Sequence, residues 1–166
     1  MISRCLLLIL LTSLVSADVD DGLQWGPMNE GCRVSLNVDK VKYDFGEPIN
    51  IGATVQNVSR EKLWVEGNQL RFPYRFEIYG PNSDETPLTL WGNKRMKVHS
   101  GSLATELLSK GEKRSDTFSM LNRTFDMSLP GKYAIVVHRV VRSELDPNAW
   151  IDVMSNTVVV EVGKDK

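Results

Sequence analysis

Lys132-Tyr133-Ala134-Ile135-Val136-Val137-His138-Arg139-Val140-Val141-Arg142 is the longest β-rich run in the chain. Branched and aromatic side chains suit a pleated surface. Near-continuous apolarity over such a length predicts a central strand with both faces covered at least in part. Pro130-Gly131 turns the chain into this run, and a polar loop from Ser143 to Asn148 carries it out, with Asp146-Pro147-Asn148 at the tip.

On either side the pattern is also that of strands. Trp150 to Val162 completes the set, with Val158, Val160 and Val162 alternating against Val159 and Glu161 and with Ser155-Asn156 as the site of a bulge. Upstream, Val34, Leu36 and Val38 alternate with Arg33, Ser35, Asn37 and Asp39, and Ile49, Ile51, Ala53 and Val55 alternate again after the turn at Lys42 to Pro48. A period of two marks half-buried strands. Leu63-Trp64-Val65, Phe72 to Tyr79, Leu88 to Trp91 and Thr117 to Met120 supply shorter candidates, and Gly80 to Glu85 is the strongest turn. Only Ser102 to Lys110, with Leu103, Leu107 and Leu108 at helical spacing, offers a helix, and a loop or single turn fits it equally well. Short strands, frequent turns and no βα alternation predict an all-β fold, an antiparallel immunoglobulin-like β-sandwich of about seven strands, with a small barrel as the alternative. Tyr133, just after Pro130-Gly131-Lys132, resembles the tyrosine near the start of the sixth strand of such sandwiches, although an ordinary core role fits it too.

The first residues follow a different logic. Arg4 precedes an apolar block from Leu6 to Leu11, Val15-Ser16-Ala17 provides small side chains, and Asp18-Val19-Asp20-Asp21 follows. This is the order of a secretory signal, and the block is too short to span a bilayer. The expected organisation is a cleaved signal peptide at 1–17, a flexible segment at 18–31, the sandwich at 32–162 and a tail at 163–166. The expected location is secreted or periplasmic, with no membrane span. Cleavage takes the formal charge from −1 to −2. A nearly neutral chain without basic clusters lacks the footprint for nucleic acid. Cys5 leaves with the signal, so Cys32 stays without an intramolecular partner and reads as a structural thiol.

Catalytic patterns are missing. No Gly-x-Ser-x-Gly elbow occurs, and Ser100-Gly101-Ser102 beside His99 reads as a polar loop. His99, His138 and Cys32 have no zinc-ligand spacing, and Asp18, Asp20 and Asp21 before Gly22 do not complete a calcium loop. The expectation is no enzyme, no cofactor and no metal. Asn57-Val58-Ser59 and Asn122-Arg123-Thr124 match the glycosylation triplet.

Candidate binding residues are the tryptophans Trp25, Trp64, Trp91 and Trp150, which would serve either as an aromatic platform or as caps on the core. Asp146 and Asn148 in the loop Ser143 to Ala149 join them, with Pro81 to Pro87 as a second contact loop.

Tyr43, Gly46-Glu47-Pro48, Ile49-Asn50-Ile51 and Val55 to Ser59, followed by Phe76-Glu77-Ile78, Leu108 to Glu112 and Pro130 to Tyr133, form an ordered set of strand and turn signatures. From Cys32 to Val162 the chain is similar to bacterial secreted immunoglobulin-like domains and resembles the intracellular proteinase inhibitor (BsuPI-like) family. The resemblance implies an immunoglobulin-like fold and, less directly, inhibition; no reactive-loop motif is carried over, and an export signal departs from an intracellular inhibitor. The expected function is therefore a non-catalytic exported module binding another protein. The alternative is an envelope accessory protein acting through strand edges or loops.

Overall fold

A computed structural model describes residues 22–66, 74–97, 105–119, 121–146 and 148–164. The signal-peptide segment, His99, the Ser100–Ser102 loop and Pro147 lie outside the described residues.

The apolar run around Ile135 forms β8 (Gly131–Ser143), and burial alternates along its whole length. Tyr133, Ile135, Val137, Arg139, Val141 and Ser143 are buried, while the residues between them stay partly exposed. One face of this strand therefore meets the core and the other is only partly covered. The run reads as continuous because its outer positions also carry Ala134, Val136 and Val140.

β8 is long enough to hold four partners. On one edge it pairs antiparallel with β5 (Tyr74–Tyr79) and then β4 (Leu63–Glu66). On the other it pairs with β10 (Val158–Val162) and then β9 (Trp150–Met154). β6 (Thr105–Leu108) extends β4, and β2 (Lys42–Tyr43) runs parallel to β10, which completes the larger sheet. The smaller sheet is β1 (Cys32–Val38), β3 (Ile51–Asn57) and β7 (Lys113–Phe118), with β3 in the middle. Val34, Leu36, Ile51, Ala53 and Val55 from this sheet pack with Ile78, Ile135, Val137, Val153 and Val160 from the other. Each such side chain contributes on the order of 1.5–3 kcal/mol on burial. The molecule is an all-β sandwich.

The sheets are joined where the sequence predicted a bulge. Ser155 and Asn156 end β9, and the chain steps across to β10. The Asn156 side chain acts as a strand would: its Nδ2 donates to the Leu36 carbonyl at 3.0 Å, and its Oδ1 accepts the Leu36 N–H at 2.7 Å. Ser155 donates its N–H to the Val137 carbonyl and accepts the Val137 N–H on Oγ. The free edge of β1 is thus bonded to the larger sheet.

The stretch before Cys32 belongs to this joint. Trp25 bridges Ser35, and the Gly26 N–H donates to the Val34 carbonyl. A Cβ on Gly26 would sit 2.3 Å from the Met154 carbonyl oxygen. Glycine is the side chain that permits this approach. Residues 22–31, which the sequence set apart as a flexible segment, run along β1.

Three other elements differ from expectation. Leu88 to Trp91 is not a strand: Thr89 accepts the Gly92 N–H on its hydroxyl, an N-cap bond, and α1 (Leu90–Lys97) follows. The helical candidate at 102–110 holds β6, because Leu63 and Trp64 of β4 pair with Leu108 and Leu107. Thr117 to Met120 shifts upstream into β7, and α2 (Leu121–Thr124) follows. Tyr133 takes the role its position resembled, donating its hydroxyl to the Leu129 carbonyl at 2.7 Å.

Candidate functional site

The partly exposed residues of β8 and their cross-strand partners share the outer face of the larger sheet, since directly paired residues project to the same side. At one end Arg142 lies between Trp64 on β4 and Trp150 on β9. Val140 follows beside Asp152, then His138 between Arg75 and Met154. Val136 is paired with Glu77, and Ala134 lies between Tyr79 and Val159.

His138 is the centre of a charged cluster. Its Nε2 lies 3.2 Å from Glu77 Oε1, and its Nδ1 lies 3.3 Å from Asp152 Oδ1. Arg75 reaches both carboxylates, at 3.0 Å from Glu77 and 3.7 Å from Asp152. The four groups tie β5, β8 and β9 together laterally. They occupy an open sheet face, so the cluster presents charge to whatever covers it. Trp150, Met154, Val159 and Tyr79 expose 59%, 41%, 48% and 40% of their surface around it.

The tryptophans do not form one platform. Trp64 and Trp150 share the outer face, with the Arg142 guanidinium 4.9 Å from the Trp150 ring centroid. Trp25 is on the other sheet, covered by Arg33 at 4.4 Å and Lys113 at 5.6 Å. Trp91 sits on α1 under Arg123. A cation over each of these three rings supplies attraction beyond burial. Arg75, Glu77 and Asp152 are not among the candidates named from the sequence; their convergence depends on register between strands far apart in the chain.

Asp146 and Asn148 serve their own turn. Asp146 Oδ1 accepts the Asn148 N–H at 3.0 Å, and its carbonyl accepts the Ala149 N–H. Their loop borders an open groove of about 480 Å³ floored by Leu63 and Ile151 and edged by Glu30, Arg60 and Glu61. The loop at Pro81 to Pro87 borders a smaller one of about 210 Å³ against Tyr133.

Inside the sandwich, a polar chain closes the side between β7 and the strands opposite. Fully buried Arg139 lies 4.3 Å from the Tyr74 ring centroid. Tyr74 donates its hydroxyl to Asp116 at 2.8 Å, Arg114 lies 3.6 Å from the same carboxylate, and Arg114 also bonds Glu106 on β6 at 2.7 Å. Burial pushes the Tyr74 hydroxyl above its ordinary range. Burial also pushes the Cys32 thiol up to about 12, which leaves it protonated and unreactive at neutral pH. Asn57 is sealed as well: its Nδ2 donates to the Glu61 and Leu108 carbonyls while its Oδ1 accepts from Ser59, so the folded chain has no free amide for a glycan there. Asn122, in the other triplet, is partly exposed on α2.

No family model matches the chain, and no curated protein matches it. Among solved structures, a protein designated ApaA from Bordetella pertussis aligns with a TM-score of 0.50 at 10% identity, over 86% of this chain and 98% of that one. The C-terminal domain of wzt aligns at a TM-score of 0.46 and 8% identity, covering 88% and 81%. The CARDB domain of a Pyrococcus furiosus protein, solved in complex with di-metal ions, aligns at 0.39 and 13% identity, covering 84% and 100%. At 10% identity the ApaA likeness is one of fold, and it agrees with the sandwich described above. No helix among the described residues is long and apolar enough to cross a membrane.

Proposed function

We propose that the chain is a non-catalytic, exported binding module that meets another protein through the outer face of its larger sheet. One observation carries the reading. Tyr79, Trp150, Met154 and Val159 are exposed together on that face, whereas no large hydrophobic residue of β1, β3 or β7 is exposed. Contiguous exposed apolar surface beside polar groups marks contact sites in soluble domains. The charges there are already paired with one another, which lowers the cost of taking them out of water. Inhibition of a secreted proteinase is the finer form of the reading that the family resemblance implies.

The test uses the exported protein incubated in its native extract and chemically cross-linked. The double variant Met154→Arg, Val159→Arg is expected to lose the cross-linked partner, while Thr54→Arg on the opposite sheet retains it. Equal capture by all three proteins refutes the reading. A panel of secreted proteinases, assayed with the wild type at micromolar concentration, decides the inhibitor form; no inhibition removes it.

A further inference from the structure

We propose that the cavity beside the loop at 80–87 takes a lysine side chain of the protein partner. The inference rests on reading this chain as a protein-binding module and goes beyond it by naming what the partner presents. The cavity, about 210 Å³, adjoins the face already described: Tyr79, exposed on that face, bridges Glu85 on the cavity rim. Asp84, Glu85 and Asp126 stand around the cavity, and none of them forms an ion pair among the described residues. Asp126 Oδ1 accepts the Ser128 N–H at 3.2 Å, which leaves its charge unopposed. Thr86 points independently to a ligand. It is 7% exposed, and no described residue bonds its hydroxyl. A Cβ on Gly80 would have Thr86 Oγ1 at 3.5 Å, Tyr133 Cε1 at 3.5 Å and the Asp84 carbonyl oxygen at 3.8 Å around it, and all three belong to residues that line the cavity. Gly80 thus leaves a recess beside which the hydroxyl and the carbonyl oxygen lie. A buried polar group without a bond is costly, and an incoming donor removes that cost. The walls decide which donor fits. Pro81, Pro87 and Leu129 offer apolar surface to the methylene stem of a long cationic side chain. The carboxylates come from two loops, at 84–85 and at 126, so a compact ammonium with three donors suits them better than a planar guanidinium, which seeks two parallel oxygens. A metal ion matches less well, because no three acidic, histidine or cysteine side chains among the described residues converge on one point.

Amide spectra of the isotope-labelled exported protein, titrated with Nα-acetyl-lysine methylamide, give the first test. Saturable shifts are expected at Gly80, Asp84, Thr86 and Tyr133, with a dissociation constant of about millimolar order because the charges are exposed. The norleucine analogue, which lacks the ammonium, should shift none of them. Asp84→Asn combined with Asp126→Asn should weaken binding by about tenfold and Thr86→Val by about threefold, whereas Thr86→Ser keeps it. Unchanged amide signals across β1 and β3 confirm that each variant is folded. The inference is overturned by no saturable shift with the lysine compound, by an equal response to the norleucine compound, or by variants that bind as the wild type does. Tighter binding of the arginine analogue or of calcium chloride at the same amides overturns it too. Carbodiimide coupling in the native extract, which joins a carboxylate to an amine in contact with it, assigns the source. A bond mapped from Asp84, Glu85 or Asp126 to a lysine of another protein supports the inference. A partner that is lost on Met154→Arg, Val159→Arg but never joined at these carboxylates removes it and leaves the contact reading standing. Amine binding with no partner captured by either route removes both.

Discussion

The two sheets alternate in the same way yet present different outer faces. On the smaller one the outward residues are Arg33, Gln56 and Lys113 in one row, Ser35, Thr54 and Ser115 in the next, then Asn37, Gly52 and Thr117. They are bonded to each other: Arg33 Nε to Gln56 at 2.8 Å, Thr54 to Ser115 at 2.8 Å. On the larger one, valine, methionine and tryptophan occupy the corresponding positions and the charges are gathered around His138. A face whose polar side chains mostly pair with one another, with Trp25 bridged to Ser35, gains little from further cover. A face that leaves large apolar side chains in water gains by being covered. The contrast separates the surface that only ends the fold from the one with further use.

The largest expected effect comes from neighbours on β7 that point opposite ways. Asp116 faces the interior, where it accepts the Tyr74 hydroxyl and lies beside Arg114. Asp116→Ala removes the acceptor and leaves the buried donors behind, at a cost of about 3 kcal/mol. Ser115→Ala, one residue away on the outer face, loses the bond to Thr54 and costs about 0.5 kcal/mol. Urea denaturation of both variants measures the difference. Equal losses would mean that the two sides of β7 are not distinct environments.

The same residues mark what could be read from the sequence. Alternation located β1, β3 and β5, as near-continuous apolarity located β8, because their inward positions are apolar, Val34 and Leu36 or Ile135 and Val137 for example. It misplaced β7 because that strand turns Arg114 and Asp116 inward, where period-two reasoning expects apolar residues. β6 lay in a stretch that a helix, a loop or a single turn fitted equally, because Leu103, Leu107 and Leu108 fall at helical spacing and only β4, far away in the chain, makes Leu107 and Leu108 part of a strand. α1 was missed because its start is a single Thr89 hydroxyl bond. Of the candidate site, Trp64 and Trp150 were legible as aromatics that would serve as a platform or cap the core, but Arg75, Glu77 and Asp152 were not. A one-residue slip of β5 would send Arg75 and Glu77 to the core face, and one of β9 would send Asp152 there.

The joint between the sheets tests how far the comparison depends on their alignment. Asn156→Ala removes both side-chain bonds to Leu36 and should cost about 2 kcal/mol. Amide exchange should quicken at Leu36 while the β8 pairings with β5 stay protected. Uniform acceleration across both sheets would show that the joint governs the whole fold.

On the exposed face itself, stability and association should part company. Met154→Lys and Val159→Lys replace half-exposed apolar groups at positions outside the core, so each should shift unfolding by no more than about 0.5 kcal/mol. Binding of a hydrophobic dye to the native protein should nevertheless fall. Thr117→Lys on the smaller sheet should alter neither. A dye signal unchanged by the first two variants would place the sticky surface elsewhere.

The smallest effect lies in the turn between β1 and β2. The Tyr43 hydroxyl bonds Asp39 and holds its carboxyl below the ordinary range, and a Lys40 bond does the same for Glu47. A carboxyl whose folded value is depressed stabilises the fold above its unfolded value, about 3.9 for aspartate, and loses that contribution as pH falls through the folded one. Both carboxylates are at the surface, where salt screens them. Asp39→Asn should therefore leave stability near pH 7 little changed and flatten the loss below about pH 4. If the variant lost stability as steeply as the wild type on acidification, the Tyr43–Asp39 bond would not be a source of the fold's acid sensitivity.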